Sequence, residues 1–186
     1  MNFTFLTSRL WLLSIAFLAF SSLALAQHTM EANGQENQSK LGQGDQDKLV
    51  EIVRNATQQY QDVSNAKGYT PVLGCVSGSD HGAMGVHYVN LSLLNGPIDP
   101  RHPQALIYEP QLNGEMKLVG VEFIILASAL PADSAPQVEG HLMNYIDYPN
   151  RYGLPGPFFE LHVWAWRNSP LGPFVDWNNH VSCSHE

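Results

Sequence analysis

The sequence predicts an α+β domain in which one N-terminal amphipathic helix packs on an antiparallel sheet of four or more strands. Three observations carry this. A single apolar stripe at helical spacing comes first. At least four short runs with strand character follow it. The links between those runs are mostly of hairpin length, which joins antiparallel neighbours, whereas parallel strands need long crossovers.

The elements follow in order. Residues 1–26 read as a cleavable secretory signal: Arg9 near the start, the apolar stretch from Leu10 to Phe20, then small residues ending Ala24-Leu25-Ala26. The apolar core is shorter than the roughly 20 residues that span a bilayer. Residues 27–44 are polar, with little to bury, and are expected to form a disordered leader. The domain is then 45–186. Asp45 offers an N-cap, and Leu49, Val53, Ala56, Tyr60 and Val63 recur at steps of four and three, predicting a helix as far as Lys67 with Gly68 to end it. Strands are expected around Val72 to Val76, around His87, from Ala105 to Pro110, from Met116 to Leu126 and from Phe158 to Trp166. Asn113-Gly114 marks the hairpin between the third and fourth of these. Residues 127–157 are rich in Pro and Gly and read as a long binding or lid loop, interrupted by a short strand near His141 to Tyr145.

Composition narrows the function. A formal charge of −8 with charged residues at only 14% of the chain, and no basic patch, argues against nucleic acid and, once the signal is removed, against a membrane as partner. Cys75 and Cys183 are the only cysteines. In an exported chain they are expected to form one disulfide.

The candidate site comes from ionisable residues set inside apolar strands. A carboxylate or imidazole is costly to bury unless it is paired, hydrogen-bonded or metal-bound. Strand alternation puts Val119, Val121, Phe123 and Ile125 on one face and Glu122 on the other. It likewise puts Leu161, Val163 and Ala165 opposite Glu160, His162, Trp164 and Trp166, and Val86 and Tyr88 opposite His87. The aliphatic faces suit the helix. The other face then gathers His87, Glu122 and His162, with Trp164 and Trp166 as walls. Two imidazoles and a carboxylate are a common ligand set for an open divalent transition-metal site, and zinc, iron, copper or manganese would accept it. The competing reading makes each His a hydrogen-bonded structural residue and pairs Glu122 with Arg101 or Arg151. Trp164, Trp166, Trp177, Phe174 and Tyr152 are read as core residues in preference to an aromatic platform for a sugar or other flat ligand, since aromatics in a small domain are more often core.

Other motifs weigh less. The loop Gly78-Ser79-Asp80-His81-Gly82 is not a catalytic triad, whose members converge from different elements, and it is not a Gly-x-Ser-x-Gly elbow. His81 could supply a ligand from the rim. The signatures of nucleotide, zincin and thiol redox chemistry do not occur in the sequence.

Asp80-His-Gly-Ala-Met-Gly-Val-His87-Tyr-Val-Asn90, Ala105-Leu-Ile-Tyr-Glu-Pro110, Leu118-Val-Gly-Val-Glu122-Phe, Asn150-Arg-Tyr-Gly-Leu-Pro155 and Glu160-Leu-His-Val-Trp-Ala-Trp166 carry a resemblance. With Asp176-Trp-Asn178 and Val181-Ser-Cys183, they resemble blocks of a family of exported bacterial proteins of uncharacterised activity. Asn179 stands where that pattern has proline. The resemblance covers most of residues 49–183 and implies a periplasmic or secreted setting, with no activity to carry across. The leading expectation is therefore an exported binding domain holding a divalent metal or small ligand on the face of His87, Glu122 and His162. The alternatives are an enzyme using the same residues as metal ligands or as acid and base, and a structural or partner-binding domain with no small-molecule site.

Overall fold

Leu49, Val50 and Val53 lie on one side of an α-helix, α1 (residues 48–57), and are buried against the sheet residues Leu106, Tyr108, Val121, Phe123, Leu161 and Val163. The computed structural model describes residues 48–78 and 80–186. The signal expected at 1–26, the leader at 27–44, the Asp45 cap and Ser79 lie outside the described residues.

The helix stops short of Lys67. Thr57 is buried, and its hydroxyl bonds back to the Val53 carbonyl at 2.7 Å while accepting the Trp166 indole N–H at 3.0 Å. Such back-bonding competes with the helical ladder. The chain tightens into a 3-10 turn at Gln58–Gln61. It then breaks at Asp62, whose carboxylate accepts the Ser64 N–H at 3.0 Å and starts a second 3-10 turn, Val63–Asn65. Gly68, at φ +85°, closes this segment where the sequence placed a stop.

Among the described residues nine strands follow: β1 (Thr70–Pro71), β2 (Val76–Gly78), β3 (Gly82–Val89), β4 (Ala105–Pro110), β5 (Met116–Leu126), β6 (Gln137–Val138), β7 (His141–Leu142), β8 (Asn144–Ile146) and β9 (Phe158–Val163). Seven form one sheet in the order β1-β3-β4-β5-β9-β8, with β2 also paired to β3; β6 and β7 form a separate pair. Every pairing is antiparallel. The α+β class, the helix on an antiparallel sheet, and the Asn113-Gly114 hairpin all stand. Gly114 takes φ +80°, and the Asn113 side chain accepts the Glu115 N–H at 3.1 Å.

Two face assignments need correction, both where a strand departs from regular alternation. The β4–β5 register shifts between Ile107 and Tyr108, so that Ile107 opposes Gly120 and Tyr108 opposes Leu118. Val119 is the extra residue of this bulge. It leaves the helix face and packs with Ile107, Trp164, Ala83 and Val181, while Leu118 takes its place beside Val121 and Phe123. The last strand ends at Val163, three residues early, because the Trp166 and Arg167 N–H groups both turn to the Val119 carbonyl. Trp166 therefore packs on the helix side of the sheet and does not wall the proposed site.

The opposite face is covered by the segments around residues 147–157 and 174–183. Two apolar clusters occupy it. One contains Val89, Leu94, Ala105, Ile124 and Phe158, with Tyr152 and Leu154 against it. The other contains Ile107, Val119, Trp164 and Val181, with Val175 and Cys183 against it. The tail is fixed by three ties. Asn178 and Ala83 exchange backbone hydrogen bonds at 3.1 and 3.2 Å. Glu109 pairs with Arg167 and accepts the Ser182 N–H at 3.0 Å. Cys75 and Cys183 are joined by a disulfide with Cα atoms 5.5 Å apart across a sequence separation of 108. Such a bond suits an oxidising compartment. Among the described residues, no helix is long and apolar enough to cross a membrane.

Candidate metal centre

Glu122 on β5 and His162 on β9 are direct cross-strand partners, so their side chains leave the same face as neighbours. His87 stands on β3, two strands from β5, on a row where Ile107 and Gly120 are its successive partners. Ala105, the β4 partner of Glu122, carries only a methyl group. Gly120 has a packing role. A Cβ there would meet the Val163 carbonyl at 2.8 Å and the Trp164 ring at 3.1 Å. Its bare Cα lets the Trp164 indole lie against the sheet and stack on His162, with ring centroids 6.0 Å apart and planes inclined by 23°.

The three residues converge as the alternation predicts, and all are sealed from solvent, at 0%, 0% and 1% exposure for His87, Glu122 and His162. His87 Nε2 lies 3.4 Å from His162 Nε2 and 3.4 Å from Glu122 Oε2. One ligand atom from each of the three lies within 4.8 Å of the others. These separations are long for hydrogen bonds, which cluster near 2.7–3.2 Å. They equal the distance between neighbouring ligands of a tetrahedral ion, about 3.3–3.4 Å when the ion-to-ligand bonds are about 2.0–2.1 Å.

A second ring of polar groups surrounds the first. The Tyr152 hydroxyl donates to Glu122 Oε2 at 2.8 Å, and its ring meets His87 edge to face at 5.4 Å between centroids. Arg151 donates to Glu160 Oε2 at 2.6 Å and stands 3.8 Å from Glu122 Oε1. Asp176, from the tail, places Oδ1 3.5 Å from His162 Nδ1. The pairing of Glu122 with Arg151 weighed from sequence is thus present only at the longer distance, and Arg101 has no part in it.

Electrostatics suits ligation. Burial holds the His87 imidazole well below its usual range, helped by His162 and by the Arg151 charge, so the ring stays neutral with a lone pair available. Burial pushes the Glu122 carboxyl well above the carboxylate range, and the neighbouring Glu160 adds to this, against the opposing pull of Arg151 and the Tyr152 hydroxyl. A divalent ion would reverse that shift by favouring the carboxylate. Asp176 is held low by its interaction with His162, against partial burial. Several buried polar atoms make no hydrogen bond, among them His87 Nδ1, Glu122 Oε1, Glu160 Oε1, His162 Nδ1 and Asp176 Oδ1. That many orphaned groups at one place calls for an unseen partner such as an ion or water.

A groove of about 440 Å³, lined by His81, Asn144, Leu171 and the run from Phe174 to Trp177, borders this cluster and reaches it at Asp176. His81 therefore lies at a rim, in the groove rather than among the three buried ligands. The aromatic residues do not share one platform: Trp164 covers His162, Tyr152 contacts His87, Trp166 faces the helix, and Phe174 stacks on His141.

Glu160, Arg151, Tyr152 and Asp176 were not assigned to the site from sequence. Glu160 was within reach, since it lies two residues from His162 on the same face of one strand. The other three come from a loop and the tail, where no periodicity marks direction. No family model, curated protein or solved structure matches this chain.

Proposed function

We propose that this chain is an exported domain whose function is to hold a divalent transition ion through His87 Nε2, His162 Nε2 and Glu122 Oε2, with zinc the best fit. The observation that carries the reading is that His87 Nε2 stands 3.4 Å from both His162 Nε2 and Glu122 Oε2, the ligand spacing of a tetrahedral ion and longer than most hydrogen bonds. A neutral His87 and a mixed nitrogen and oxygen donor set support it. The signal-like residues 1–26, the block resemblance and the disulfide support export.

At this ion, binding is favoured over turnover because its three ligand residues are sealed from solvent. An enzyme needs an open coordination position beside a cleft. The purely structural alternative leaves five buried polar atoms without a hydrogen bond around the two histidines and the carboxylates. His87→Ala and His162→Ala should each lose the tightly held ion while keeping the wild-type circular dichroism spectrum. Wild-type zinc affinity in either folded variant would remove the proposed ligand set.

A further inference from the structure

His162 uses only one of its two ring nitrogens at the site just described. His162 Nδ1, Glu160 Oε1 and Asp176 Oδ1 are all buried atoms that make no hydrogen bond. One ligand atom from each of these residues lies within 4.8 Å of the others, and Nδ1 stands 3.5 Å from Oδ1. Glu160 is fully buried and His162 nearly so. The other oxygen of Glu160 is already engaged, by Arg151 at 2.6 Å, which holds the carboxylate in place with Oε1 unpartnered.

We infer that Glu160, His162 and Asp176 form a second divalent-cation site, so that the His162 imidazole bridges two ions. The inference rests on the reading of the first site. Chemistry and charge are consistent with it. With Nε2 committed to the first ion, the ring proton resides on Nδ1. The second ion takes the Nδ1 lone pair as that proton leaves to the water of the groove, so one ion enters and one proton departs. Two divalent ions bring four positive charges. Glu122, Glu160, Asp176 and the bridging imidazolate supply four negative ones, and Arg151 beside Glu160 leaves the cluster with one net positive charge. The two ions differ in access. Asp176 lines the groove and is one-third exposed, so the second ion is the one that exchanges with solvent and has coordination positions to offer a small ligand there.

Equilibrium dialysis of the tag-free full chain against zinc, followed by metal analysis, tests this. Two equivalents are expected for the wild type, one for Asp176→Asn, one for His87→Ala and none for His162→Ala. One equivalent retained unchanged by Asp176→Asn overturns the second site and leaves the first standing. Two equivalents in both wild type and Asp176→Asn place the extra ion elsewhere and also overturn it. No uptake by the wild type removes both sites. Zinc-edge anomalous scattering from wild-type crystals decides the matter should the variant misfold. Two peaks flanking the His162 ring are expected, and a single peak on the Nε2 side refutes the bridge.

Discussion

Replacing Glu122 by glutamine should raise stability without metal and lower it with metal. The side chain is fully buried, and burial together with Glu160 pushes its carboxyl well above the ordinary value of 4.5. The metal-free folded protein therefore keeps Glu122 protonated where the unfolded chain ionises. As pH rises above that ordinary value, the unfolded state is increasingly favoured. Wild-type stability then falls by about 1.4 kcal/mol per pH unit until the folded carboxyl itself ionises. Glutamine has the same shape, can still accept the Tyr152 hydroxyl, and has no proton to lose. Other titrations cancel in the comparison, including that of His87, whose depressed value lowers stability in acid below its ordinary 6.5 in both proteins. The two proteins should match near pH 4.5 and diverge upward in favour of Glu122→Gln. Zinc opposes that gain and reverses the order at about pH 6, where the advantage of the amide is about 2.1 kcal/mol. At one hundred times its dissociation constant, an ion bound only by the folded state contributes about 2.7 kcal/mol, and the amide forfeits most of it. Urea unfolding followed by tryptophan fluorescence, at several pH values with chelator or with zinc, reads both effects. The reasoning fails if Glu122→Gln is the less stable protein at every pH in chelator, which would mean an ionised, paired Glu122. It fails equally if the variant gains as much from zinc as the wild type does.

Thiol titration of the unreduced, denatured chain should find no free thiol, and Cys183→Ser should cost up to about 4–5 kcal/mol, the chain-entropy value for a loop on the order of 100 residues. Gly85→Ala should destabilise by more than about 1 kcal/mol in the same urea assay, because Gly85 sits at φ +90° and a Cβ there would lie 2.6 Å from the Tyr108 carbonyl oxygen. Little change in that variant would show that β3 can move away from β4.

What the sequence showed of the site was whatever obeyed a period. His87, Glu122 and His162 each sit opposite their strand's aliphatic partners, and that placement holds because the His87 end of β3, the Glu122 end of β5, and β9 alternate regularly. Val119 escaped because a bulge is an extra residue in a ladder, which the sequence of one strand does not display. Trp166 escaped because the strand ends where its backbone N–H meets the bulged Val119 carbonyl, a contact between distant segments. The early end of α1 depends on Thr57 meeting Trp166, again a tertiary event. Arg151, Tyr152 and Asp176 reach the centre on loop and tail segments, whose paths are fixed by ties such as Asn178 on Ala83 and Cys183 on Cys75.

Metal analysis of tag-free protein, expressed from the full sequence and never exposed to chelator, tests the central claim most directly. The spacing of His87, Glu122 and His162 predicts at least one tightly held transition ion per chain. A chain that carries none, and takes up none when zinc is supplied, would contradict it.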